Sequence, residues 1–207
     1  MNLFPAFLKL AGRRCLVVGA GRVAEEKISG LLHAGADVRV VAPQATSRVR
    51  AWARSRKIRW ETRDFRPSDL GGVFLTVAAT SSPALHRKIY AAAQRRGVLC
   101  NVVDDPAHCE FYYGAVVRRG ALQIAISTGG RSPALAQRLK KQLEKELSAE
   151  YERWLEELGE ARRELLARVK SPQRRRALLH ELASPSSFEK FLRGRKQGAR
   201  KARARRP

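Results

Sequence analysis

A short apolar run, residues 14–18, passes straight into Gly19-Ala20-Gly21 and then into a stretch whose apolar residues recur at helical spacing. No other feature restricts the fold of this chain as much. Gly19, Gly21 and Ala24 satisfy the pattern G-x-G-x-x-G/A, which carries meaning only between a strand and a helix, its setting here. The first glycine makes a tight turn, the second lets backbone approach a pyrophosphate, and the small third residue lets helix and strand pack closely. The helix N-terminus then offers unpaired N–H groups and the positive end of its dipole to phosphate oxygens. A dinucleotide is expected along Gly19, Ala20, Gly21, Arg22, Val23 and Ala24, with Pro43 at the end of the second strand. An acid at that strand end normally takes the ribose hydroxyls. Here the chain reads Ala42-Pro43-Gln44. Either backbone and Gln44 hold the ribose or the site tolerates a 2′-phosphate, and the motif does not separate NAD from NADP.

The rest of the N-terminal half continues the pattern. Val23, Ile28, Leu31 and Leu32 mark a helix over 22–34 that Gly35 closes. Strands are predicted over 38–41, 58–61, 73–78 and 98–103, with helices over 46–55 and 83–96. Ser82 is the N-cap of the latter and Pro83 its first residue. Strands alternating with helices imply an α/β fold, a Rossmann domain with a parallel sheet. After Pro106 the rhythm changes. Residues 115–117 and 122–126 read as a β-hairpin, and Gly129-Gly130 ends it. Helix follows over 132–169, interrupted near Gly159, and shorter helices begin at Ser171-Pro172 and Ser184-Pro185. The expected organisation is a Rossmann domain over 1–113, a hairpin-and-helix region over 114–147, a helical region over 148–192 and a basic, disordered tail over 193–207.

Composition narrows the function classes. The chain of 207 residues has 44% hydrophobic residues, enough to bury a core. It has no apolar stretch of about 18 residues, so no membrane span is expected. The apolar opening, residues 1–10, lacks a basic start and is not read as a signal peptide. Three cysteines, two of them in strand patterns, suit buried thiols in a reducing cytoplasm. No Cys or His pair has metal-site spacing, and no metal is expected. The net charge of +23, from 42 basic and 19 acidic residues, calls for a polyanionic partner. Residues 193–207 hold eight of the basic residues and no acid, but Arg and Lys are in excess upstream as well.

Five segments carry a more specific signal: Phe4-Pro5-x-Phe7-Leu8, Val17-Val18-Gly19-Ala20-Gly21-x-Val23-Ala24-x-x-Lys27, Val77-Ala78-Ala79-Thr80, Asn101-Val102-Val103-Asp104-Asp105-Pro106 and Ile126-Ser127-Thr128-Gly129-Gly130-Arg131-Ser132-Pro133. In this order they resemble the precorrin-2 dehydrogenase family, which includes bifunctional sirohydrochlorin ferrochelatases and the N-terminal part of fused siroheme synthases. The resemblance covers about residues 1–145. It implies oxidation of precorrin-2 to sirohydrochlorin in siroheme biosynthesis with NAD⁺ as acceptor, and a homodimer in which 114–147 is the dimerisation region. It adds Thr80 to the cofactor contacts. In some members the same site then inserts Fe²⁺ as substrate, which the resemblance leaves open here. The substrate is a polycarboxylate, so the +23 has a second meaning: a cleft lined with Arg and Lys.

Asp104 is the catalytic candidate. It stands just past a buried strand, where open α/β sheets bind ligands, and the family's functional aspartate falls on it. A carboxylate there can take a proton or orient the macrocycle. An Asp ahead of Asp-Pro is also the usual turn residue, and the residues alone do not separate the two roles. Ser127, Thr128, Gly129 and Arg131 are candidate substrate contacts, set against an ordinary Gly-Gly turn ahead of a helix. His108 and Cys109 read as loop residues rather than metal ligands. His33, His86 and His180 read as surface or packing residues on helices, and Trp154, Leu155 and Leu158 as a helix face in a core or dimer contact. Two other classes compete with the enzyme: a Rossmann protein that senses a dinucleotide without chemistry, and a nucleic-acid binder acting through its tail.

Overall fold

The structure, a computed structural model, describes residues 2–204, with side chains described through Arg195. Five strands form one all-parallel sheet: β1 (Arg14–Val18), β2 (Asp37–Val41), β3 (Arg59–Glu61), β4 (Leu75–Ala78) and β5 (Leu99–Val102). Their spatial order is β3-β2-β1-β4-β5. The chain therefore leaves β1 toward one edge and returns to build the other half from β4. Strand order reverses between β1 and β4, and a crevice opens there beyond the carboxyl ends of the strands.

Both faces of the sheet are covered at its centre, which is why β1, β4 and β5 read as near-continuous apolar runs. Alternate residues point to opposite faces. Cys15 and Val17 join Val38, Val40 and Val77 on one side, against Ala24, Ile28 and Leu31 of α1 (Arg22–His33) and Val49 of α2 (Ser47–Arg54). Leu16 and Val18 face the other side, against Ile89, Ala92 and Ala93 of α3 (Pro83–Gln94). Cys15, Cys100 and Cys109 are free, and burial pushes the Cys15 and Cys100 thiols up to about 11 and about 12.

The chain divides into two compact units, Phe4–Tyr113 and the chain from Gly114 onward. The second opens with an antiparallel hairpin, β6 (Ala115–Arg119) and β7 (Leu122–Ile126). A two-residue turn joins them, and Gly120 holds the left-handed φ of 57° that a tight hairpin needs. Four helices follow: α4 (Pro133–Glu146), α5 (Glu150–Arg168), α6 (Pro172–Leu182) and α7 (Pro185–Ala204). Trp154 of α5 packs on Phe188 of α7, ring centroids 4.8 Å apart.

Two expectations about this unit need correction. The helical stretch is interrupted at residues 147–149, not near Gly159, which lies inside α5. The cause is a cap that composition does not reveal. Arg119 of the hairpin donates to the Leu147 and Glu144 carbonyls, each at 2.7 Å, and so satisfies orphan acceptors at the end of α4. A helical glycine costs about 1 kcal/mol, which the surrounding helix formers absorb. The basic segment expected to be disordered is helical as far as Ala204, in keeping with the helix propensity of Ala, Arg, Lys and Gln. Residues 205–207 lie outside the described residues.

Candidate functional site

The crevice at the strand-order reversal is a cleft of about 830 Å³. Its floor is the glycine turn. Gly19 donates to the Val41 carbonyl at 3.0 Å, Ala79 donates to Val18 at 2.8 Å, and Val103 donates to Ala78 at 2.9 Å, lacing the strand ends together. Gly19 has a φ of 106°, and a Cβ on it would lie 2.1 Å from the Ala79 carbonyl oxygen. The first glycine is therefore required by the fold itself. Gly21 differs. It is the N-cap of α1 with a φ of −81°, and a Cβ on it would meet nothing within 4 Å. Its smallness leaves open space in front of the first turn of α1, whose N-cap makes no side-chain hydrogen bond. Ala24 is fully buried and supplies the close packing of α1 on the sheet. This arrangement fits a dinucleotide pyrophosphate: room beside backbone, and helix N–H groups without partners.

Seven of the eight expected cofactor contacts line this one cleft, Gly19, Ala20, Gly21, Arg22, Val23, Pro43 and Thr80; the eighth, Ala24, is fully buried and does not line it. Asp104 lines it too. Its φ is 60°, a left-handed conformation that Asp tolerates better than most residues, and it swings the chain out of β5 at the cleft rim. Residues 109–111 then fold back along β5. The Glu110 amide donates to the Cys100 carbonyl at 2.9 Å, and the Glu110 carboxylate accepts from the Cys100 amide at 2.8 Å. Buried Asn101 donates to the Phe111 carbonyl at 2.8 Å. The Cys109 sulfur accepts from the Val102 amide and lies 3.1 and 3.2 Å from the Val102 and Asp105 carbonyl oxygens. Cys109 is thus a brace for the Asp104 turn, and burial raises its thiol pKa. His108 pairs with Asp105 at 2.7 Å and meets the Tyr90 ring edge-on. Among the described residues no group of three or more His, Cys, Asp or Glu is disposed to hold a metal ion.

Lys27 sits half-buried one turn along α1, its ammonium 4.0 Å above the Tyr113 ring. Burial lowers its pKa, opposed by the charges of Glu26, Asp104 and Cys109.

Some cleft residues escaped the sequence reading. Arg63, Asp64 and Phe65 follow β3, and His86 lies in the first turns of α3. His86, expected at the surface or in packing, is buried with Nε2 unpartnered. Arg63 is fixed by its neighbours. It donates to both oxygens of buried Asp69, at 2.9 and 2.6 Å, to the Glu61 carboxylate and to the Asp64 carbonyl. Burial alone would raise the Asp69 pKa, but Arg63, the Arg66 amide and Arg39 hold it below the ordinary 3.8. A carboxylate depressed in the folded state stabilises it above the unfolded value and loses that contribution as pH falls through the folded one. Asp69→Asn should therefore lower the thermal midpoint at neutral pH by roughly 5 °C. The gap to the parent should close below about pH 4 in melts followed by circular dichroism. A constant gap across that range would exclude the carboxylate as its source.

The remaining candidates lie in the second unit. Ser127 Oγ accepts from the Gly129 amide at 3.2 Å, and Thr128 Oγ1 accepts from the Ser132 amide at 3.1 Å. Both hydroxyls act as acceptors toward the chain, which leaves their protons for an external acceptor. Arg131 is exposed at the head of α4. No helix among the described residues is long and apolar enough to cross a membrane.

Residues 6–115 match the family described as "Putative NAD(P)-binding", and residues 119–146 match the one described as sirohaem biosynthesis protein central. The siroheme synthase of Neisseria meningitidis serogroup C (strain 053442) is 43% identical over 176 residues, 85% of this chain and 37% of that protein. The siroheme synthase of Nitrosococcus oceani is 33% identical over 199 residues, 96% of this chain and 42% of that protein. The chain spans about two fifths of the length of these relatives. Among solved structures, SirC, precorrin-2 dehydrogenase, superposes with a TM-score of 0.76 at 30% identity, covering 94% of this chain and 100% of that one.

Proposed function

The chain belongs to the family described as putative NAD(P)-binding and is similar over 94% of its length to the precorrin-2 dehydrogenase SirC, and from that premise we propose that it oxidises precorrin-2 to sirohydrochlorin with NAD⁺. The observation that carries this reading is the placement of Asp104 on the rim of the cleft whose floor is the glycine turn. The proposed catalytic carboxylate and the proposed dinucleotide site thereby share a single crevice.

NAD⁺, when bound, supplies a hydride acceptor. The chain's own residues do the rest. Gly19, Ala20 and Gly21 would give backbone access, the α1 N-terminus with Arg22 and Val23 would hold the phosphates, and Pro43 and Thr80 line the same cleft. Asp104 takes a proton from the macrocycle, or fixes it by accepting pyrrole N–H hydrogen bonds, on a turn stiffened by Cys109 and Glu110. Ser127, Thr128 and Arg131 are assigned to substrate carboxylates, with Gly129 giving the loop its turn. Arg and the two hydroxyls are suited to that anion. A homodimer and a cytoplasmic setting belong to the same reading.

The test is an anaerobic assay with precorrin-2 and NAD⁺, following NADH and the sirohydrochlorin spectrum, then adding Fe²⁺. Stoichiometric NADH and sirohydrochlorin are the expected result. Siroheme formed faster than in a protein-free control would add metal insertion. Dinucleotide binding without turnover would leave a sensing Rossmann protein instead.

A further inference from the structure

The end of β2 offers no acid for the adenosine ribose, which leaves the choice between NAD and NADP without its usual determinant. We infer that Asp64, beyond the end of the neighbouring strand β3, takes over this role and selects against a 2′-phosphate. The inference rests on the dinucleotide reading of the cleft.

Three observations support it. In the sheet order β3-β2-β1-β4-β5, β3 lies directly beside β2, so the segment after Glu61 runs past the same strand ends as Ala42-Pro43-Gln44. Both segments line the cleft, and on this side of it Asp64 is the carboxylate among the lining residues; the other two, Asp104 and Asp105, follow β5 at the far end. Asp64 is exposed and makes no ion pair among the described residues, so its oxygens are available.

The adjacent cation does not reverse this. Arg63 also lines the cleft and would ordinarily favour a 2′-phosphate. Its guanidinium is already committed to Asp69, Glu61 and the Asp64 carbonyl. The Glu61 and Asp69 carboxylates match the two charges of Arg63 and Arg39, which pairs with the same carboxylates at 3.4 and 3.8 Å, and this leaves Asp64 as a surplus negative charge where the 2′-position would come. A ribose hydroxyl can donate to that carboxylate, whereas a phosphate dianion is repelled by it.

The experiment measures dissociation constants for NAD⁺ and NADP⁺ by calorimetry on the full chain, without substrate. The parent protein should prefer NAD⁺ by about tenfold or more, and Asp64→Asn should erase most of that preference, largely through tighter NADP⁺ binding. Asp64→Arg should invert it. The residue is exposed, and unchanged melting curves would show that both variants fold. Equal parent affinities, or a preference untouched in Asp64→Asn, would overturn the assignment while leaving the cleft a dinucleotide site. Binding of neither nucleotide would overturn both readings.

Discussion

Replacing Asp104 with alanine should lower precorrin-2 turnover by about 100-fold or more while the NAD⁺ dissociation constant moves by less than about twofold. The two halves of this expectation have separate origins. The carboxylate lines the cleft, yet the bonds that hold its turn are made by other groups: the Asp105 amide to Val102, the Cys109 sulfur and the Glu110 pair with Cys100. Removing the side chain therefore leaves the turn braced. The nucleotide contacts assigned above come from the ends of β1, β2, β3 and β4 and from α1, and none of them uses Asp104. Alanine does carry a risk at a φ of 60°, because a Cβ without a polar group pays roughly 1–2 kcal/mol in the left-handed region. Asp104→Asn resolves it, since Asn accepts that conformation and keeps the shape. If the charge performs the proton transfer, Asn should be as inactive as Ala. If the side chain only accepts a fixed hydrogen bond, Asn, whose amide oxygen also accepts, should retain part of the rate. Normal turnover by both variants would remove Asp104 from the chemistry and make it a turn residue.

The sequence carried the centre of the sheet well because β1, β4 and β5 are buried on both faces, and such strands announce themselves as apolar runs between glycines and prolines. The glycine turn was legible for the same reason: its meaning depends on the strand before and the helix after, both local. What was not legible depends on contacts between segments distant in the chain. Asp64 and Arg63 enter the cleft only because β3 pairs with β2, a neighbour relation with no local signature. Arg119 stops α4 from across a hairpin, so the interruption at 147–149 could not be read from a stretch in which Gly159 looked the weaker point. Cys109 shows the limit differently. Beside His108 it suggested ligand chemistry to be weighed and set aside, and its thiol in fact closes the gap left by backbone groups at the end of β5.

The two motif glycines should fail in opposite ways when substituted. In Gly19→Ala the new Cβ would lie 2.1 Å from the Ala79 carbonyl oxygen and 2.7 Å from its carbon, and both belong to backbone that cannot rotate aside. A φ of 106° adds strain that an L-residue rarely bears. Relief requires β1 and β4 to separate at their carboxyl ends, against the Ala79-to-Val18 hydrogen bond. A cost of roughly 2–4 kcal/mol follows from overpacking and backbone strain together. For a chain of this size that corresponds to a thermal midpoint lower by roughly 5–15 °C. Gly21→Asp should behave otherwise. Its φ is ordinary and its Cβ direction is open, so the melting curve should stay within about 2 °C of the parent. The carboxylate would instead occupy the space before the α1 N-terminus and oppose a pyrophosphate there, weakening NAD⁺ binding by about 100-fold or more. A stable Gly19→Ala protein would mean that the turn relaxes more readily than its packing indicates. A Gly21→Asp protein with unchanged NAD⁺ affinity would count against the cleft as the nucleotide site, since neither packing nor backbone conformation requires a glycine at Gly21.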